Sequence, residues 1–235
     1  AGAKSWVICN GRCFSVSASQ PENLGLKIAR GESAPQYLEA RDAFNGLVLW
    51  KQPVGQTQSR RALSWRNVQP WRNSEPLVAA KDTVYAVRNG KLVAFSAADG
   101  REMFVCDNTT APWALRLSRG TLVTAGREES GITISGAIEA FDAATGGRRW
   151  ALPVIAQDIL ASDDTLFVLT RDSATAPTAI SGYDLAGGTK RFSVADKELG
   201  GGTLRLLSAG KGYLLANRGA HRGAQRSGRA HALAD

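Results

Sequence analysis

Residues 138–150 read Ile138-Glu139-Ala140-Phe141-Asp142-Ala143-Ala144-Thr145-Gly146-Gly147-Arg148-Arg149-Trp150. An alternating strand leads to Asp142, a small polar turn closes on Gly146, and a second short strand ends on Trp150. Glycine adopts the positive φ that such a turn needs without Cβ strain. The turn-opening Asp can accept hydrogen bonds from the backbone N–H groups of the turn.

The same unit recurs. Leu38-Glu39-Ala40-Arg41-Asp42-Ala43-Phe44-Asn45-Gly46-Leu47-Val48-Leu49-Trp50 is one copy. Leu92 to Phe104 is another, with Ser96 in the Asp place, and Ile180 to Phe192 is a fourth, opened by Asp184. The turn glycines Gly46, Gly100, Gly146 and Gly188 fall at steps of 54, 46 and 42 residues. One family of four-stranded blades repeats every roughly 40–45 residues, so these steps are blade lengths with insertions. Each copy follows a hairpin with a polar turn: Trp6 to Phe14 (Asn10-Gly11 at its tip), Val78 to Val87, Leu117 to Thr124 and Leu160 to Leu169. A last hairpin runs from Leu206 to Leu215. The closing aromatics Trp50, Phe104, Trp150 and Phe192 are placed to fill space between neighbouring blades, because one blade cannot bury its faces alone.

Asp142-Ala143-Ala144-Thr145-Gly146 with Trp150, and Asp42-Ala43-Phe44-Asn45-Gly46 with Trp50, resemble the repeat of the pyrroloquinoline-quinone-binding-like β-propeller family. The second copy departs at Ser96 and Phe104, and the fourth at Leu185, Gly187 and Phe192. The four copies cover residues 38–192, and the hairpins extend the likeness to about 6–215. The stretch Ala40 to Lys51 is particularly similar to secreted bacterial members of unassigned activity. The resemblance implies an all-β chain of four-stranded antiparallel blades. About four to five are countable against seven or eight in such proteins, so an incomplete propeller is expected. The expected domain is residues 1–216, with insertions at about 20–37 and 51–75. Residues 217–235 are expected to be a disordered tail or, since Gly228 to Asp235 faintly echoes the strand before the Asp, a degraded repeat.

The resemblance implies two functions. One is a non-catalytic scaffold that binds another protein. The other is part of a quinone-dependent alcohol or sugar dehydrogenase, using pyrroloquinoline quinone and calcium. Such enzymes carry an adjacent Cys-Cys pair near the quinone, and this chain has none. No catalytic residue is assigned, and the standout carboxylates Asp42, Asp142 and Asp184 already have a turn role. The resemblance also implies a periplasmic or secreted location. No signal peptide can be read, and the only methionine is Met103, so a removed start or an internal piece is expected.

Composition narrows the alternatives. Of the 235 residues, 43% are hydrophobic and 21% charged, which suits a packed globular chain. No apolar run approaches the roughly 20 residues of a membrane-spanning helix. The net charge is +8, but Arg218, Arg222, Arg226 and Arg229 lie in the last 18 residues beside the single acid Asp235, and without these five the charge is +5. That thin spread favours solubility over a phosphate-binding face. Cys9 and Cys13 are spaced C-x3-C with no second ligand pair at zinc spacing, and Cys106 stands alone, so all three are expected as small strand residues. Gly200-Gly201-Gly202 lacks the Lys-Ser/Thr of a phosphate loop. His221 and His231 lie in the tail and make no catalytic dyad. Asn108-Thr109-Thr110 matches a glycosylation sequon and is expected to be a turn.

The insertion from Lys51 to Glu75 carries Arg60, Arg61, Trp65, Arg66, Trp71 and Arg72. A long loop packed by its own tryptophans is one reading. Arg and Trp are also favoured at protein interfaces, and interleaved with each other they could stack nucleic-acid bases.

Overall fold

The computed structural model describes residues 6–18, 33–56, 76–130, 133–171, 178–195, 203–210, 213–219 and 231–233. Every regular element among them is a strand, and no helix there is long and apolar enough to cross a membrane. The chain divides into two compact units, Ala1–Trp113 and Ala114–Asp235.

The first unit holds two four-stranded antiparallel sheets, each in sequence order. One is β1 (Trp6–Cys9), β2 (Arg12–Ala18), β3 (Pro35–Asp42) and β4 (Val48–Gln56). The other is β5 (Leu77–Ala80), β6 (Thr83–Arg88), β7 (Lys91–Ser96) and β8 (Glu102–Val105). Asn10 and Gly11 both take positive φ, 47° and 70°, at the tip of the β1–β2 hairpin. That is the primed turn whose twist matches the flanking strands. The two sheets bury one shared core: Phe14, Val16, Leu38, Ala40 and Val54 meet Leu77, Val84, Ala86, Val93 and Phe95, with Trp50 half-buried against them.

The second unit follows the same plan. β9 (Pro112–Ser118), β10 (Thr121–Ser130), β11 (Thr133–Asp142) and β12 (Arg148–Leu152) form one sheet, and β9 begins just before the unit boundary. β13 (Ala156–Ser162), β14 (Thr165–Arg171), β15 (Thr178–Asp184) and β16 (Lys190–Ala195) form the next. β17 (Thr203–Gly210), β18 (Tyr213–Gly219) and β19 (His231–Leu233) form a three-stranded sheet. Leu169 and Ile180 of the β13–β16 sheet pack with Leu206 and Leu214 of the last one.

Three expected boundaries move. β3 begins at Pro35, so residues 35–37 are strand and not insertion. β4 runs on to Gln56, so residues 51–56 of the second insertion pair with β3. In the tail, residues 217–219 complete β18, and β19 pairs with β18 through Leu214 and Leu233. At these positions the backbone is paired in a ladder. The rest of the tail lies outside the described residues.

A β-bulge sits at one place in all four complete sheets. The register shifts between Ala40 and Arg41, Ala94 and Phe95, Ala140 and Phe141, and Gly182 and Tyr183. The partner strand thereby gains one residue just before its closing aromatic: Leu49, Met103, Arg149 and Arg191. A bulge re-aims the extra side chain away from the ladder.

Candidate functional site

The turn that opens each last strand is built alike four times. Gly46, Gly100, Gly146 and Gly188 take φ of 71–76°, and each donates its N–H to the carbonyl of the turn-opening residue, Asp42, Ser96, Asp142 or Asp184, at 2.8–2.9 Å. The opening carboxylates gather turn amides. Asp42 Oδ1 accepts from Phe44 and Asn45, Asp142 Oδ1 from Ala144 and Thr145, and Asp184 Oδ2 from Gly187 at 2.7 Å. In the second copy, where Ser96 stands in the Asp place, Asp99 accepts from Arg101 N–H instead. Asp142 and Asp184 are held ionised by the donors around them. Arg149 at 2.6 Å and the turn amides bring Asp142 down to about 2. The Gly187 amide and then Arg191 lower Asp184.

The residue after the turn opener ties two levels together. The N–H groups of Ala43, Ala97, Ala143 and Leu185 each donate to the first hairpin of their own sheet, at Gly11, Asp82, Gly120 and Asp164, within 2.7–2.9 Å. Two of those residues also accept from the sheet before. Trp50 Nε1 donates to Ala97 O, and Trp150 Nε1 to Leu185 O, both at 3.0 Å. The indoles lie on the next turn's glycine. A Cβ on Gly100 would stand 2.6 Å from the Trp50 ring, and one on Gly188 2.8 Å from the Trp150 ring. Glycine is needed there for close approach as well as for φ.

Phe192 behaves differently from the space-filling role expected of it. It lies over Gly182 of its own sheet, where a Cβ would meet its ring at 2.2 Å, and tilts against Phe167 with centroids 6.1 Å apart. The residues opposite Trp50 and Trp150 are Ala40 and Ala140, so the Gly182 for Ala exchange opens room for this seating. Phe104 stands opposite Ala94 and is half-buried.

A second set of links was not anticipated. Ser118 Oγ donates to Asp163 O at 3.1 Å and Ser162 Oγ to Ala209 O at 2.8 Å. In the first unit the same place is filled by Asn10 Nδ2, donating to Lys81 O at 2.9 Å. Each bond joins the first hairpin of one sheet to that of the next. Serine is too common to flag such a link from sequence alone.

The bulged residues split by chemistry. Arg149 reaches Asp142 and Thr121 Oγ1, and Arg191 reaches Asp184, Asp164 and Thr165. In the first unit, Leu49 and Met103 take those places and are 46% and 50% exposed. Around Leu49, Phe44 is 91% exposed, Leu47 65% and Val48 49%. The signal was in the repeat copies: Phe44-Asn45-Gly46-Leu47-Val48-Leu49 stands where Ala144-Thr145-Gly146-Gly147-Arg148-Arg149 does. The contact surface expected at Arg60, Arg61, Trp65, Arg66, Trp71 and Arg72 lies outside the described residues, as does His221.

Cysteines and the sequon settle into structural roles. Cys13 pairs across from Ile8, and Cys9 from Arg12, which puts the two cysteines on opposite faces of the hairpin. Cys106 is fully buried, and burial pushes its thiol up to about 11, so it stays protonated and unreactive at neutral pH. Asn108 is 2% exposed. Its side chain donates to Gly90 O and Thr110 O and accepts from Leu92 N–H, so no glycan can be attached there.

A quinone with calcium would need converging carboxylate and amide oxygens. Among the described residues no three His, Cys, Asp or Glu side chains lie close enough together to hold a metal ion, and the turn carboxylates are spent on amides and arginines. The described residues do not fit that group.

Comparison with known proteins places this arrangement. The family model of the outer membrane protein assembly factor BamB matches residues 25–152. Among curated proteins none matches the chain. Among solved structures, BamB from Moraxella catarrhalis superposes with a TM-score of 0.51 at 15% identity, covering 90% of this chain and 53% of that one. Quinohemoprotein alcohol dehydrogenase ADHIIG from Pseudomonas putida HK5 gives 0.56 at 14% identity, covering 91% and 38%. The Pan2 WD40 domain of Neurospora crassa gives 0.55 at 9% identity, covering 91% and 58%. The chain therefore spans about half the length of these relatives or less. At such identities the superpositions show the fold, an all-β array of propeller blades, and nothing finer.

Proposed function

The chain belongs to the family of the outer membrane protein assembly factor BamB, and from that membership we propose that it is part of a non-catalytic scaffold propeller that binds a protein partner in the bacterial cell envelope. The family model's match over residues 25–152 carries this reading. The site chemistry supports it. The turn-opening Asp42, Asp142 and Asp184 hold their turns and the indoles of Trp50 and Trp150 join neighbouring sheets, which is what a rigid binding platform requires. A periplasmic or secreted location follows from the same membership and is part of the proposal.

The test uses the whole protein. Deleting its gene in the native bacterium is expected to lower the amount of folded outer-membrane β-barrel protein, read by heat-modifiability on gels and restored by the intact gene. Unchanged barrel levels would count against the scaffold role. The dehydrogenase reading has only the fold likeness behind it. Purified protein loaded with pyrroloquinoline quinone and Ca²⁺ is expected to reduce no dye with alcohols or sugars, and sustained turnover would replace the scaffold reading.

A further inference from the structure

We propose that Met103 is a reversible oxidation site, at which a peroxide converts the thioether to a sulfoxide whose oxygen is held by the Thr83 hydroxyl. The inference stands on side-chain geometry and not on the scaffold reading, so either can fail alone.

The contrast between repeat copies carries it. In the β9–β12 and β13–β16 sheets the bulged residue is an arginine, which can only donate. Arg149 is met by Thr121 and Asp142, and Arg191 by Thr165 and Asp184. In each case the threonine and the aspartate are cross-strand partners, so the clasp around the arginine is made of acceptors. In the β5–β8 sheet the corresponding partners are Thr83 and Ser96. A hydroxyl stands where the carboxylate was, and it donates to Asp99. The bulged residue is Met103, the single methionine of the chain, and Thr83 Oγ1 donates to its Sδ at 3.8 Å. Donor and acceptor have exchanged sides. A thioether fills the acceptor's place poorly, because its sulfur is a weak acceptor. A sulfoxide oxygen fills it well. The first sheet lacks the device, with Leu49 at the bulge and Arg12 in the threonine's place opposite Asp42.

Met103 is 50% exposed, so an oxidant in solution reaches the sulfur. Sulfoxide formation disrupts cores and methionine-rich interfaces, but a side chain half in water gains a polar group at little desolvation cost. In the step itself a sulfur lone pair attacks one oxygen of hydrogen peroxide. The O–O bond breaks as the S–O bond forms, and a proton shift releases water. Sulfur gives up two electrons and the peroxide takes them. A thiol-dependent sulfoxide reductase reverses the step, with two thiols becoming a disulfide and the oxygen leaving as water.

The whole protein, treated with hydrogen peroxide and followed by peptide mass spectrometry and thermal melting, tests this. Met103 is expected to take up one oxygen. The melting temperature is expected to rise by about 2 °C, the value of one added hydrogen bond, and methionine sulfoxide reductase should reverse both changes. In Thr83→Val the oxygen is still taken up but the melting temperature does not rise. In Met103→Leu peroxide brings no rise, which separates Met103 from other oxidisable residues of the whole protein. The proposal is overturned if Met103 stays unmodified in the folded protein, or if its oxidation lowers the melting temperature or leaves it unchanged. An equal rise in Thr83→Val or in Met103→Leu overturns it too.

Discussion

Asp142 is gripped by more donors than any other turn carboxylate described: two backbone amides, the Thr145 hydroxyl at 3.2 Å and the Arg149 guanidinium at 2.6 Å. Its folded pKa of about 2 lies below the ordinary 3.8. A depressed acid favours the folded state above its ordinary pKa and loses that contribution as pH falls toward the folded value. Thermal melts across pH 4 to 2 are therefore expected to fall more steeply for the native protein than for Asp142→Asn, with parallel slopes as the contrary result. The group is at the surface, so the difference is small. Trp150 carries more. Trp150→Phe keeps a ring over Gly188 but removes the donor to the carbonyl of Leu185, itself 2% exposed. An unsatisfied buried acceptor costs about 1–3 kcal/mol, readable as a lower urea midpoint at unchanged slope.

At the scale of elements, the repeated bulge decides what each edge strand shows to solvent. Arg149→Leu would give the third sheet the chemistry of the first, with Leu where Leu49 stands. Exposed ion pairs contribute about 1 kcal/mol or less, so this variant is expected to keep nearly native stability by chemical denaturation; a large loss would show the arginine clamp to be a main strut. Gly182 is a stronger constraint. Gly182→Ala drives a methyl into the Phe192 ring and is expected to cost about 1–3 kcal/mol as overpacking, with much of the loss recovered in the Gly182→Ala, Phe192→Leu double variant. These contrasts also show what sequence can disclose. The Asp-to-Gly turns and their flanking strands were legible, because glycine φ and Asp–amide bonds are local. The exposed rim at Phe44, Leu47 and Leu49 was legible in the comparison of copies. The seating of Phe192 was not, because it depends on the residue across the strand pair and so on a bulged register. Nor were the Ser118 and Ser162 links, whose acceptors are backbone carbonyls more than forty residues away.

At the scale of the whole molecule, repeat proteins are close to one-dimensional: stability is a sum of unit terms and nearest-neighbour terms. The Trp50 and Trp150 junctions use the same bonds but share no residue. Trp50 meets Ala97 and Gly100 around one turn, and Trp150 meets Leu185 and Gly188 around another. Independent sites add to within about 0.3–0.5 kcal/mol. Trp50→Phe and Trp150→Phe are thus expected to have similar costs, because each loses one Nε1 donor at 3.0 Å, and the double variant is expected to lose their sum. If the double variant lost much less than the sum, one junction would already be broken when the other goes, and the sheets would unfold as a single cooperative block. If the two single costs differed widely, the packing behind the indoles, and not the shared bond, would be setting the strength of each junction. Additivity with equal costs would instead make the tryptophan-on-glycine contact a transferable joint whose strength is set by the few residues that touch it.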